Sequence, residues 1–401
     1  MLTWTIIVLS LAGMLLRPWG VKEAIPVLIG AAALILLGLL PLTTALRGAA
    51  QGWDVYLFLT GMMLLAELAA DQGLFLWLAA LTARLAQNSA TRLFALIYAM
   101  AVLVTVFLSN DATAIVFTPA VAEMARAVKA KHPLPFLLIC AFVANAASFV
   151  LPISNPANLV IYGSALPPLL PWLARYSLAS AAAIAATFLA LRFTQRRALR
   201  QTIAPPERVP LSPGGRHAGL GILATAVILM LASAAGLRLG LPTLLCGLAT
   251  AALVLLPARQ PPWPMLRNIS WSILPLVAGL FILVAALDAT GLTQALALWR
   301  PGAWELGTGL ALLTNLVNNL PAALLAGHAL AHAGSAATGA ALIGADLGPN
   351  LSVTGSLATI LWLTALSRAG LRISAWQFFR LGAVIMPPAL LLALCGLLLA
   401  R

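Results

Sequence analysis

The stretch FLSNDATAIVFTP, residues 107–119, sets a serine, an asparagine and an aspartate inside a long apolar run. Polar, irregular backbone at membrane depth persists only where protein or a water-lined cavity satisfies it. Ser109 and Asn110 are good caps for two helical arms meeting at this point. Capping needs no carboxylate, however, and a charge at that depth costs at least ~2.5 kcal/mol. Asp111 is therefore a functional candidate, as a proton or cation binder. Three other stretches repeat the pattern: Ser154-Asn155-Pro156-Ala157-Asn158, Asn318-Asn319-Leu320-Pro321, and Asp346-Leu347-Gly348-Pro349-Asn350-Leu351-Ser352. The first two of these four fall in one half of the chain and the last two in the other. Broken segments at matching positions of two halves point to a transporter binding site.

Composition agrees with a membrane setting. The 401 residues are 62% hydrophobic and 8% charged, where a soluble domain carries roughly 25% charged residues. The apolar runs are continuous, as in 181–191 and 390–400, which excludes the alternating pattern of an outer-membrane barrel. The net charge of +13 lies in short loops, densest at Arg192, Arg196, Arg197, Arg200, Arg208 and Arg216. That is the positive-inside pattern and not a nucleic-acid patch. Cys140, Cys246 and Cys395 lie far apart in apolar runs and read as small buried hydrophobes. None of the three lysines sits in a nucleotide-binding loop, so no nucleotide hydrolysis, cofactor or enzymatic activity is expected. The start of the chain has no basic leader region, and its apolar run reads as a retained first helix.

Spans need about 20 apolar residues. They are expected near 2–16, 24–43, 53–70, 135–166, 171–191, 218–236, 240–257, 270–287, 337–366 and 378–400. The spans 135–166 and 337–366 are interrupted and read as broken helices. Segments 92–125 and 305–332 read as re-entrant hairpins with polar tips. Residues 73–88 and 291–300, with Arg84 and Arg300, read as interfacial helices. Trp53 and Gly61 correspond to Trp271 and Gly279, and Gly73-Leu74 to Gly291-Leu292, at one common offset. The expectation is an all-α polytopic membrane protein of about ten transmembrane helices in two inverted repeats, 1–191 and 218–401, joined by a cytoplasmic basic linker, 192–217. With that linker inside, all but five of the 23 lysines and arginines (Arg47, Arg175, Arg238, Arg300 and Arg401) fall on the cytoplasmic side. Both termini are then periplasmic, in a bacterial inner membrane.

The polar positions supply the candidate site. Asn145, Ser148, Ser154, Asn155 and Asn158 lie along the first broken helix. Asp346, Asn350, Ser352, Thr354 and Ser356 lie along the second, where freed carbonyls and helix ends coordinate polar solutes or ions. Packing glue between helices is the alternative use of individual residues. Glu67 is a further protonation candidate if its carboxyl faces the bundle. Asp71 and Asp288 read as helix-end markers. His328 and His332 share a helix face, but no third ligand accompanies them, so no metal site is expected. Trp4, Trp53, Trp172, Trp271 and Trp376 read as interfacial anchors.

The motifs FLSNDATAIVFTP at 107–119, LPISNPANLV at 151–160, NNLPA at 318–322 and GADLGPNLSVTGSLATILW at 344–362 resemble the ArsB-type arsenite permeases, the arsenical pump membrane proteins of the ion-transporter superfamily. The resemblance covers about residues 50–400. It implies export of arsenite and antimonite in exchange for protons, hence arsenic resistance, with optional pairing to a soluble arsenite-stimulated ATPase. It implies that Ser109, Asn110, Asp111, Asn318 and Asn319 at the tips, and Ser154, Asn155, Asn158, Asn350 and Ser352 at the breaks, face substrate. Thr113, beside the first tip, is placed in the same set, and the cost of a buried charge makes Asp111 and Asp346 the expected proton-coupling groups. Asp346 departs from the asparagine expected in many relatives. Arsenite near neutral pH is mainly an uncharged trihydroxide, and amides and hydroxyls offer it both donors and acceptors. Sodium/proton antiport on the same fold is the rival reading, since two midplane carboxylates suit a cation. Di- and tricarboxylate transport fits less well, because no lysine or arginine lies near the four motifs.

Overall fold

In hydrocarbon each backbone N–H must be satisfied within its own segment, so uninterrupted apolar runs fold as helices. The computed structural model describes residues 1–205, 208–292, 295–296, 301–330 and 334–400. Among these residues the secondary structure is helical, with one isolated bridge between Ser89 and Thr202. The chain is an all-α polytopic membrane protein. Among the described residues five helices are long and apolar enough to cross a membrane: Trp53–Asp71, Ala90–Phe107, Leu169–Gln195, Pro213–Ala234 and Ala375–Leu399. Of the shorter apolar helices, Leu2–Leu16 and Ala24–Leu36 precede the first of these, and Gly240–Leu255 and Ile273–Ala289 lie between the last two.

The order of elements repeats. In the first half Trp53–Asp71 is followed by Ala90–Phe107, a π-helix Ala112–Phe117 with Thr118–Ala127, the split pair Leu134–Ala146 and Pro156–Tyr162, and Leu169–Gln195. In the second half Ile273–Ala289 is followed by Ala303–Val317, Asn319–Ala329, the split pair Ser335–Leu347 and Leu357–Arg368, and Ala375–Leu399. Packing exchanges partners between halves. Trp53–Asp71 lies on Gly240–Leu255, Ala24–Leu36 on Ile273–Ala289, and Leu169–Gln195 on Ala375–Leu399. The first of these crossings is backbone against backbone: a Cβ on Gly61 would sit 2.4 Å from the Thr243 carbonyl oxygen. Small residues let membrane helices approach this closely.

Several expectations change. The span 24–43 is shorter than its apolar run: the helix stops at Leu36, Gly38 turns with φ 68°, and Leu42–Gln51 forms a separate amphipathic helix. Residues 74–85 form a helix whose Phe75, Ala79 and Ala83 are buried, so it packs into the bundle on one face. Trp172 is not an interfacial anchor. It is fully buried, and its indole Nε1 donates to the carbonyls of Phe149 and Val150, both at 3.2 Å. Trp53 and Trp376, by contrast, are 63% and 64% exposed. Two residues of the basic linker are pinned beside the first hairpin: Ile203 N donates to Asn88 O and Ala204 N to Val128 O. Pro206, Glu207, Arg300, His332 and Arg401, and most of the second half of segment 291–300, lie outside the described residues.

Candidate functional site

Each polar tip is held by the break of the following split helix. In the first half Ser109 Oγ accepts from Ala112 N at 3.2 Å and Asn110 Oδ1 from Asp111 N at 2.9 Å, which turns the chain at the end of Ala90–Phe107. The break at 147–155 reaches this turn through Ser154 Oγ, which donates to Val106 O at 3.0 Å. The return arm begins as a π-helix, in which Thr118 Oγ1 donates to Thr113 O at 3.2 Å. Single π-turns of this kind are frequent at functional sites. In the second half Asn318 adopts φ 75° and donates through Nδ2 to Thr354 O at 3.2 Å, while Asn319 N donates to Gly355 O at 2.8 Å.

Asn315 organises that second junction and was missed in the sequence. Its Nδ2 donates to Gly348 O at 3.1 Å, its Oδ1 accepts from Ser352 Oγ at 2.7 Å, and its carbonyl accepts from Thr354 Oγ1 at 3.0 Å. The only sequence signal was its spacing, one helical turn before the tip asparagines.

The two breaks are joined to each other deep in the protein. Asn155 Nδ2 donates to Asp346 Oδ1 at 2.7 Å, and Asn145 Nδ2 to Asn350 Oδ1 at 2.9 Å. Asn350 Nδ2 donates to Phe142 O at 3.1 Å, and Asn158 Nδ2 to Ser148 O at 2.8 Å. Asp346, Asn350, Asn158, Ser148 and Ser154 are all fully buried. Such bonds make the irregular backbone tolerable at this depth.

The candidates thus separate by position. Thr113 is fully buried and bonded to Thr105 at 2.8 Å, behind the tip. Ser154, Asn155, Asn158 and Asn350 are held at the breaks, by Val106, Asp346, Ser148 and Asn145 respectively. Ser109 and Asp111 line a cavity together with Met62, Glu67, Asn268 and Ser270. Glu67 and Asn268 stand on the same cavity wall. Among the described residues no lysine, arginine or histidine lines this cavity. Asn268 and Ser270 also escaped the sequence reading. Asn268 ends the short helix Trp263–Asn268 beside Arg267, and Ser270 follows it, where composition resembles an ordinary connection. Asn318 lines a second, smaller cavity with Glu23, Leu276 and Leu320.

Other polar residues contribute less. His328 Nδ1 is within hydrogen-bonding distance of Leu324 O, 2.9 Å, in its own helix. Among the described residues no group of three His, Cys, Asp or Glu side chains is placed to hold a metal. Asp71 and Asp288 sit at the ends of Trp53–Asp71 and Ile273–Ala289.

Paired polar tips and paired helix breaks, the breaks joined to each other across the two halves, are an arrangement found in transporter folds. The chain belongs to the citrate transporter family, whose profile matches residues 4–345. It is similar to the arsenical pump membrane protein of Escherichia coli, 28% identical over 385 residues with 86% of each chain covered. It is similar to the protein of the same name from Yersinia enterocolitica, 29% identical over 385 residues with the same coverage. An uncharacterized transporter of Mycobacterium tuberculosis is 25% identical over 402 residues, covering 93% of this chain and 92% of that one. Among solved structures, the YdaH transporter of Alcanivorax borkumensis, described as having an unusual topology, matches with a TM-score of 0.56. That match covers 89% of this chain and 86% of that one at 16% identity, and it shows the fold alone.

Proposed function

We propose that this chain exports arsenite and antimonite, as the neutral trihydroxides, in exchange for protons. The observation that carries the proposal is the cavity at the first hairpin tip. It is lined by Ser109, Ser270, Asn268, Glu67 and Asp111 among apolar side chains, and among the described residues by no cationic side chain. A trihydroxide needs both donors and acceptors, and this set supplies both. A free citrate or dicarboxylate anion would meet two carboxylates and no counter-charge, which disfavours it. The similarity to arsenical pump proteins over 86% of the chain supports the same assignment.

The mechanism proposed is alternating access. The hairpins and split helices move against the remaining helices, and the two repeats, 1–191 and 218–401, run in opposite senses through the membrane. Asp111 takes up and releases the coupling proton, which neutralises a costly charge and favours one facing state. Ser109, Asn110, Asn318, Asn319 and Ser352 contact substrate at the tips, while Ser154, Asn155, Asn158 and Asn350 hold the breaks that shape the site. Glu67, on the same cavity, is the second proton-binding group. The six arginines of segment 192–217 are the inside charge of the topology and a surface for a soluble ATPase partner.

The test is arsenite uptake into everted vesicles with an acidic interior and no ATP. Saturable uptake that collapses with the pH gradient is expected. Sodium/proton exchange is the second reading, favoured by two carboxylates in one cavity. Proton release on adding sodium outside, without arsenite uptake, would replace the first reading by the second.

A further inference from the structure

The two cavities stand at equivalent places in the two halves. Phe58 and Met62 on the wall of the first correspond to Leu276 and Leu280 on the wall of the second, at the offset that relates Trp53 to Trp271. Ser109 and Asp111 at the first tip correspond to Asn318 and Leu320 at the second, at the offset that relates Asn110 to Asn319. Pro156 and Leu357 line the two cavities directly after the caps Asn155 and Ser356, whose side chains accept alike from the backbone two residues on, at 3.0 and 3.1 Å. Matched positions on three separate elements make the second cavity the internal repeat of the first.

The remaining wall differs. In the first cavity it includes the polar residues Glu67, Asn268 and Ser270. In the second it is Met14, Leu15 and Glu23, from the end of Leu2–Leu16 and the residue that precedes Ala24–Leu36. Leu320 stands where the first tip carries Asp111. Apart from Asn318 and Glu23, the second cavity is lined by apolar side chains, and both Met14 and Asn318 are buried. The polar tip of the second hairpin is thus shut beneath an apolar cover, which the first tip lacks.

Charge fixes the turn that supplies this cover. Arg17 adopts φ 47° where Leu2–Leu16 ends, and its Nη1 lies 3.0 Å from Glu23 Oε1. A left-handed backbone at an arginine is uncommon and persists where the surroundings hold it. The Glu23 side chain is 8% exposed and that of Arg17 is 29% exposed. A carboxylate so buried is costly without its cation, so the pair sets the spacing of the two helix ends. The contact is one of charge and not an aligned hydrogen bond: Glu23 Oε1 and Arg17 Nε have no hydrogen-bond partner among the described residues. Such a contact holds a closed arrangement and can still part.

We propose that the turn between Leu2–Leu16 and Ala24–Leu36 is a gate over the second hairpin tip, shut here by Met14 and Leu15 and latched by the Arg17–Glu23 pair. The inference rests on the alternating-access reading, in which a tip is shielded in one state and reached in the other. It gives a role to residues 1–45, which carry none of the four motifs.

The test is the labelling rate of a cysteine at the tip. Leu320→Cys is made in full-length protein whose Cys140, Cys246 and Cys395 are replaced by alanine, and the protein is held in nanodiscs so that both faces meet a soluble maleimide. The rate follows the fraction of time for which the tip is uncovered. Adding Glu23→Gln should raise it at least tenfold, because Arg17 loses its partner while keeping its access to water. Arg17→Lys, which preserves the pair, should leave it within twofold. Met63→Cys, on the first cavity, should label at one rate with and without Glu23→Gln. If Glu23→Gln does not fold, Met14→Ala, which leaves both charges in place, should raise the rate at position 320 at least threefold. An unchanged rate at position 320 in Glu23→Gln, or in Met14→Ala where that variant replaces it, would overturn the proposal. Equal acceleration at position 63 would make the effect a general loosening and also overturn it. So would labelling in Arg17→Lys as fast as in Glu23→Gln. No arsenite enters the assay, so its failure and that of the export reading are told apart.

Discussion

Asn155 makes two bonds that can be removed separately. Its Nδ2 donates to Asp346 Oδ1 at 2.7 Å across the two halves, and its Oδ1 accepts from Ala157 N at 3.0 Å, capping Pro156–Tyr162. Asn155→Ser keeps a capping oxygen but is too short to reach the carboxylate. Asn155→Ala loses both bonds. Interhelical hydrogen bonds in membrane proteins average about 0.6 kcal/mol and reach about 1.7. This one is short, fully buried and made to a carboxylate, so the upper end applies, about 1.5 kcal/mol. Loss of an N-cap adds about 1 kcal/mol. The expected destabilisation is therefore ~1.5 kcal/mol for Asn155→Ser and ~2.5 kcal/mol for Asn155→Ala, by the same bond and cap values. The assay is equilibrium unfolding by sodium dodecyl sulfate in mixed micelles, followed by tryptophan fluorescence. A serine variant as stable as the unaltered protein would refute the reasoning, since the bond between the halves would then contribute nothing.

Further predictions follow from the same structure. Gly344→Ala should destabilise by roughly 1–3 kcal/mol, because its Cβ would fall 2.3 Å from the Gly307 carbonyl oxygen. Gly309→Ala, with nothing within 4 Å, should be neutral or gain up to about 1 kcal/mol in the same unfolding assay. Trp172→Phe keeps the ring but strands the Phe149 and Val150 carbonyls, at a cost of about 1–3 kcal/mol. In vesicles, Asp111→Asn should leave arsenite flux indifferent to the imposed pH gradient, and flux that still follows the gradient would move proton coupling off this residue.

The membrane class, the helical fold and the four interrupted positions were legible in the sequence. Hydropathy is a local property, and a run such as 344–362 reveals its own break without reference to anything else. The common offset of Trp53 and Trp271 also exposed the duplication. What the tertiary structure decided was which polar residues meet. Asn155 and Asp346 lie 191 residues apart, and Asn145 and Asn350 lie 205 apart. No periodicity within either segment reports such a pairing. It arises because helices of one half pack on those of the other, which brings the two breaks to one depth. The same packing buries Trp172, which by its place near a span end read as an anchor. It leaves Asp111 beside Glu67 on a cavity, and it sets Asp346 in a dry cluster of amides. Two aspartates that looked alike in the sequence thus have different surroundings, and the difference lies in what the opposite half places against each.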